Sequence, residues 1–320
     1  MRLAVPPEID PAAMATWRSG VPVMELAGET MGTSWRVKLA VPERFDGLAV
    51  RAAIVARLDD IVAQMSHWEP DSLLGQFNRA APDTWFDLPT DFATVIATGL
   101  DIAQRSQGAF DPAIGALVNL WGHGPVAVEG PPDEAALEAA RAVSGWQRLK
   151  FADGRLRQPG GLQLDLSGIA KGYAVDAVAD LLATHGIAHC LVEIGGELVG
   201  RGMRPDGNPW WVELETPADT VPPIRVALHQ SAVATSGDYV RGFHTIDPRT
   251  GSPVKHAMAV SVIHTSAMLA DGWATALSVL PPAAMREMAQ SEDLKVRALM
   301  RVGNGVEEWL SPSLRTMIKD

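Results

Sequence analysis

Cysteine is all but missing from this 320-residue chain: Cys190 stands alone, inside an apolar run. A single thiol excludes an internal disulfide and a cysteine-built zinc site. Positive charge is scarce too. Lys and Arg number 27 against 38 Asp and Glu, for a formal net charge of −11 and a pI near 5.2. No Lys/Arg cluster offsets that balance, so a duplex nucleic-acid partner, which needs clustered positive charge against its phosphates, is excluded. Nothing approaches the ~20 consecutive apolar residues of a membrane-spanning helix. The opening, MRLAVPPEIDPAAMATWRSG, lacks a basic start leading into an apolar stretch of signal-peptide length, and has no early cysteine to carry a lipid. As written, the chain reads as cytoplasmic, or as periplasmic if an export signal has been removed.

What is present describes an ordinary globular protein. Hydrophobic residues make up 47% and charged residues 20%, which separates the chain from disordered sequences and leaves enough apolar surface for a large core. The first 26 residues are Pro-rich and aperiodic, and read as an N-terminal arm. MGTSWRVKLA (31–40) alternates as a strand does. Ile54, Leu58, Ile61, Val62 and Met65 then recur at helical spacing. A second helix is expected within 89–108, with Thr90 as N-cap and Gly108 as its stop. Asp153-Gly154 suits the turn of a tight hairpin. GLQLDL (161–166) alternates like a strand and leads into a helical stripe, Ala174, Val178 and Leu181, that ends at Gly186. Strands follow in CLVEIGGELVG, WWVELET, IRVALHQ, SAVATSG and AVSVIHT, then a helix near LADGWATALSVL and a hairpin in ALMRVGNGVEEWL. Strands and helices come in blocks without strict βαβα alternation, which predicts an α+β fold of mixed or antiparallel sheets with packed helices. No fixed-period repeat or clean linker divides it.

The chemistry concentrates at a few junctions. In LDLSGIAKG, Asp165 and Lys171 bracket a Ser-Gly turn before a helix. Unpaired N–H groups and the dipole at a helix N-terminus attract an anion, and Lys171 strengthens that attraction toward a phosphate oxygen. Alternatively, the two charges pair with each other and fasten the turn. Asp271 and Thr275 lie four apart on one helical face, where two hard oxygens suit Mg²⁺ beside a phosphate; equally, they are a first-turn Asp and a Thr bonded to its own backbone. His244, in HTIDPRTG, is able to carry a proton near neutral pH or to be an unremarkable polar residue. Asp247-Pro248 and Thr250-Gly251 beside it are ordinary turn chemistry. Gly195-Gly196 permits a bulge or a close backbone approach. Trp68 offers a flat surface for stacking, although a chain with 10 Trp has other uses for one.

Taken in order, MGTSWRVKL, MSHWEPDSLLGQFN, GAFDPAIGALVNLW, LDLSGIAKGYAVD, EIGGEL, ATSGDY, HTIDPRTG and ADGWATAL resemble the ApbE family of FAD:protein FMN transferases, from about Met31 to Leu280. The resemblance implies one catalytic domain, or two intertwined subdomains, over 27–320, with FAD in a central cleft and a divalent metal, usually Mg²⁺. It implies transfer of FMN from FAD to a Thr or Ser hydroxyl of an acceptor flavoprotein, with release of AMP. Carried onto this chain, it places Met31, Trp68, Ala109, Phe110, Asp111, Asp165, Lys171 and Thr245 against FAD. Trp68 stands where the family more often has Tyr. Gly168, through its carbonyl, and Asp271 and Thr275, through their side chains, would hold the metal. Lys171 would neutralise phosphate charge, and His244, then Asp247, would accept the hydroxyl proton. A Mg²⁺-dependent FAD pyrophosphatase giving FMN and AMP, or a non-catalytic flavin-binding protein, are the alternatives on the same residues.

Overall fold

The structure, a computed structural model, describes residues 1–42, 44–239 and 242–319. Its spine is an eight-stranded sheet in the spatial order Gly305–Leu310, Lys295–Val302, Ala257–His264, Ser231–Gly237, Glu197–Arg201, Cys190–Ile194, Thr33–Ala40 and Val23–Thr30. Every neighbouring pair is antiparallel. Side chains alternate between the two faces of a strand, and each face has its own core. In Ser231–Gly237, Ala232 and Ala234 point into the main core, whereas Val233 joins Leu191 and Ile263 in a second one.

The helices Ala170–Thr184 and Ala267–Val279 cover the first face, with Gly47–Met65 and Thr90–Arg105 packed against them. Ile54, Leu58, Ile61 and Met65 form the buried stripe of Gly47–Met65 that their spacing predicts. Ala267–Val279 is different, being buried on nearly every side. A helix in that position must be apolar all round, so its one carboxylate, Asp271, stands out as an unlikely core residue.

The second face is covered by a four-stranded sheet ordered Ile318–Lys319, Arg2–Ala4, Ile224–Leu228 and Trp210–Glu213. Arg2–Ala4 lies at its centre, parallel to one neighbour and antiparallel to the other. The expected arm over residues 1–26 is therefore part of the fold. Pro11–Thr16 is a short helix with Asp10 as its cap, Trp17 donates its indole N–H to the Arg204 carbonyl at 2.8 Å, and Val23 already begins an edge strand. Many of the partners that order this segment lie more than 170 positions away, which local periodicity does not register.

Two other expectations need correction. Thr90 is the first residue of its helix and Pro89 the cap; at the far end Gln107 and Gly108 both adopt positive φ. Residues 161–166 alternate but form no strand. Their backbone is satisfied by other partners: Leu164 exchanges hydrogen bonds with the Asn78 amide at 2.7 and 3.0 Å, Gly115 N–H donates to the Gln163 carbonyl, and Asp165 N–H to that of Pro112. The hairpin at Asp153-Gly154 forms as expected, with φ of 51° and 71°.

Candidate functional site

The site begins where two helices meet. Ala170–Thr184 and Ala267–Val279 run antiparallel and cap each other. Asp176 accepts the N–H groups of Ala267 and Met268 at 2.9 and 3.0 Å and the Ser266 hydroxyl at 2.7 Å. In return, Asp271 Oδ2 accepts the N–H of Gly172 at 3.0 Å. Carboxylates are favoured at helix N-termini because they meet unpaired donors and the positive end of the dipole. Close approach of the helices depends on Gly172: a Cβ there would lie 2.3 Å from the Ala267 carbonyl oxygen and 2.8 Å from Asp271 Cβ. The helix N-terminus, expected to receive a ligand's anion, thus has one N–H already taken by the protein's own carboxylate.

Above this junction opens a cleft of about 400 Å³, within the usual range for small-molecule sites. It gathers most of the residues singled out in the sequence: Trp68, Ala109, Phe110, Asp111, Asp165, Gly168, Lys171, His244, Thr245, Asp271 and Thr275. Two do not line it. Met31 occupies, with Gly32, the positive-φ turn between Val23–Thr30 and Thr33–Ala40 and packs against the main core; Thr33 lines the cleft in its stead. Asp247 is held by the guanidinium of Arg249 through two bonds of 2.9 Å and accepts the Arg249 N–H as well. It anchors the turn of HTIDPRTG, so the second-ranked proton acceptor is placed structurally.

Asp165 and Lys171 each have another partner. Asp165 Oδ1 accepts the N–H and hydroxyl of Ser167 at 2.8 and 2.5 Å, which shapes the turn before the helix. Lys171 pairs with Glu197. Glu197 is only 3% exposed, and its Oε2 is buried with no hydrogen-bond partner among the described residues. Burial pushes its carboxyl up, against the pull of the Lys171 ammonium, and Asp271 pushes it further. Burial raises Asp271 as well, opposed by Lys171 and the Gly172 N–H. Glu197 was missed in the sequence although one signal was there: in ELVGR it shares the inward face of the strand with Val199, and an acid on an apolar face needs a partner.

The donors expected for a metal come together. Thr275 Oγ1 lies 3.4 Å from the Gly168 carbonyl and 3.1 Å from Ser236 Oγ. Among the described residues no group of three His, Cys, Asp or Glu side chains is arranged to hold a metal. The set consists instead of one carboxylate, a hydroxyl and a backbone carbonyl. All are hard oxygens, the kind Mg²⁺ takes while it keeps positions for phosphate and water. Asp271, a buried carboxylate beside this set, also fits an added positive charge.

The other walls are set by loops. Asp111, raised by burial to about 6, spends its oxygens on the N–H groups of Ala113 and Trp146 at 2.8 and 3.1 Å and so fixes the 109–113 turn. His244 Nδ1 is 2.9 Å from the Gly242 carbonyl. A carbonyl only accepts, so Nδ1 carries the proton, and in the neutral ring Nε2 has the lone pair. His123 meets His244 edge to face, ring centroids 6.3 Å apart, and is depressed by burial and then by that neighbour. Trp68, 57% exposed, stands at the mouth.

Comparison with known proteins points to one family. Residues 31–300 match the model of the ApbE family. The chain is 36% identical over 311 residues to the FAD:protein FMN transferase of Klebsiella pneumoniae (strain 342), across 92% of this chain and 89% of that one. Among solved structures, the flavin transferase ApbE from Vibrio cholerae has a TM-score of 0.87 at 34% identity, covering 92% of this chain and 100% of that one. The apo form of Pseudomonas stutzeri flavinyl transferase ApbE gives 0.87 at 35% identity, covering 92% and 96%. The α+β fold of antiparallel sheet and packed helices is the one these structures share.

Proposed function

The chain belongs to the ApbE family, and from that premise we propose that it is an FAD:protein FMN transferase, moving FMN from FAD to a Thr or Ser hydroxyl of an acceptor flavoprotein and releasing AMP. The observation that carries this reading is the meeting, in one cleft, of an ammonium, a set of hard oxygens and a tautomer-fixed imidazole. Those are the three things cleavage of a phosphoanhydride by a hydroxyl requires.

In this reading the acceptor's hydroxyl oxygen attacks the phosphorus on the FMN side. The new P–O bond forms as the bond to the bridging oxygen breaks, and AMP leaves with that oxygen. His244 Nε2 takes the hydroxyl proton, its ring held by the Nδ1–H bond to Gly242. Lys171 balances the charge that collects on the diphosphate oxygens. Asp271, Thr275 and the Gly168 carbonyl would hold a divalent cation, Mg²⁺ in this reading, and that ion would supply further charge neutralisation at the same oxygens. Trp68 and Phe110 offer apolar surfaces to the flat rings of the nucleotide, and Asp111 keeps the 109–113 turn in shape.

The test is incubation of the protein with FAD, with and without Mg²⁺, in the presence and absence of a Thr-bearing acceptor, followed by mass spectrometry of the acceptor and analysis of free nucleotides. FMN mass added to the acceptor with stoichiometric AMP is expected. Free FMN and AMP beside an unmodified acceptor would assign a pyrophosphatase, and FAD bound without turnover would assign a flavin-binding protein. Transfer undiminished by a chelator would remove the metal from the reaction.

A further inference from the structure

Glu197 has no place in the mechanism so far, yet it lines the cleft. It opens the strand Glu197–Arg201 immediately after the Gly195-Gly196 turn, whose φ values of 63° and 105° belong to glycine. A Cβ on Gly195 would come within 2.9 Å of Thr33 Cγ2, so the hairpin tip is seated against another wall of the same cleft. Lys171, by contrast, leaves the first turn of Ala170–Thr184 on a flexible four-carbon stem. Asp271 lies near it, and a lysine that swung onto Asp271 would compete with a cation for that carboxylate. The pairing that the structure shows is to Glu197, reached across the cleft from the sheet.

We propose that Glu197 is a positioning residue for the phosphoanhydride chemistry: its buried carboxylate fixes the Lys171 ammonium at the wall of the cleft, ready for the diphosphate, and acts only through Lys171. The proposal rests on the transferase reading above. Two features point to orientation rather than simple fastening. The carboxylate arises from a strand inside the eight-stranded sheet, which holds a geometry more closely than a loop does. One of its oxygens is committed to Lys171 while Oε2 stays buried without a partner among the described residues, an arrangement that costs stability and that a mere fastener between helix and sheet does not need.

The measurements are single-turnover transfer at saturating FAD, the FAD dissociation constant from flavin fluorescence, and the melting temperature, on wild type, Glu197→Gln, Glu197→Asp, Lys171→Met and the double variant Lys171→Met/Glu197→Gln. Glu197→Gln keeps the shape and loses the charge; Glu197→Asp keeps the charge and withdraws it from the ammonium. Displacement of a reacting group by ~1 Å costs on the order of 10²-fold. Both single Glu197 variants are therefore expected to slow transfer ~10- to 100-fold while the FAD dissociation constant moves less than ~3-fold. In the Lys171→Met background, Glu197→Gln should change nothing further, because a residue acting through another has no effect once that other is gone.

A wild-type rate in Glu197→Asp, an equal loss in both Lys171 backgrounds, or a loss confined to FAD affinity would overturn the proposal. If Glu197→Gln is too unstable to assay, the Glu197→Asp result decides alone. A wild-type protein that transfers FMN while the Glu197 variants keep pace sinks this inference and leaves the function standing. A wild-type protein that transfers nothing sinks both.

Discussion

At the scale of single residues, the site depends on how each polar group has been committed before substrate arrives. His244 presents Nε2 because Nδ1–H is spent on Gly242. Replacement by Asn should lower transfer by about 10²- to 10⁴-fold, the usual worth of a positioned base, with FAD affinity kept. Rates measured from pH 6 to 8 decide it, and wild-type transfer across that range would reject the base. Asp271 has two duties, as a cap for Gly172 and as a wall of the cleft. Asp271→Asn preserves an acceptor for the Gly172 N–H and removes the charge. We expect a folded protein whose Mg²⁺-dependent turnover falls at least ~10²-fold, since the metal's charge neutralisation is worth several kcal/mol; activity at the wild-type level would dismiss Asp271 as a ligand. Asp271 stood out in the sequence as half of a helical Asp/Thr pair among apolar neighbours, and Lys171 as one of two opposite charges at a helix start. Glu197 and Asp176 drew less notice, each being an acid whose partner lies in a distant segment.

At the scale of elements, the crossing of Ala170–Thr184 and Ala267–Val279 decides where the chemistry sits. Gly172→Ala should drive the helices apart at the Ala267 carbonyl and Asp271. Overpacking of this kind costs ~1–3 kcal/mol, so both melting temperature and transfer should drop; unchanged values would mean the contact yields easily. A second junction ties the N-terminal helix to the sheet. His189 Nδ1 accepts the Met203 N–H at 3.0 Å, and its Nε2 lies 3.1 Å from the Thr16 hydroxyl. Protonating Nδ1 would remove that acceptor. Burial depresses this imidazole, and His229 and Arg18 add to the effect. A histidine with a folded pKa below its unfolded value of ~6.5 contributes stability that is complete above that value and declines as pH falls beneath it. Between pH 7.5 and 5.5 His189, like His123 and His264, thus withdraws stability as pH falls, while the buried carboxyls of Asp111 and Glu197, raised by burial, act in the opposite sense; relative to wild type, the urea midpoint of His189→Gln should therefore shift upward as pH is lowered across that range. Identical slopes in the two proteins would contradict the assignment. Such a junction has no local signature, because imidazole and backbone donor belong to different elements.

Across the whole molecule, the eight-stranded sheet separates the cleft and its helices from the smaller sheet on the other face. Arg2–Ala4 is central to that smaller sheet, and Arg2 meets Glu308 at 2.6 Å, the same carboxylate that holds the buried Arg297 at 2.8 Å. Deleting residues 1–5 should lower the urea midpoint and leave FAD affinity nearly unchanged, because the loss falls on the face away from the site; a truncated chain as stable as the full one would show the strand to be dispensable. The sequence alone determined the α+β class, the helical stripes and the hairpins with positive-φ turns, since each depends on spacing along the chain or on residue types held in one short motif; the resemblance of its motifs to a known family pointed to eleven of the residues that line the cleft. Tertiary structure alone decided that Lys171 turns to Glu197, that Asp271 and Asp176 cap each other's helices, that Asp247 serves Arg249, and that the opening residues join a sheet. Those outcomes depend on which distant backbone donors and charges are brought within hydrogen-bond reach, and only the folded chain sets those distances.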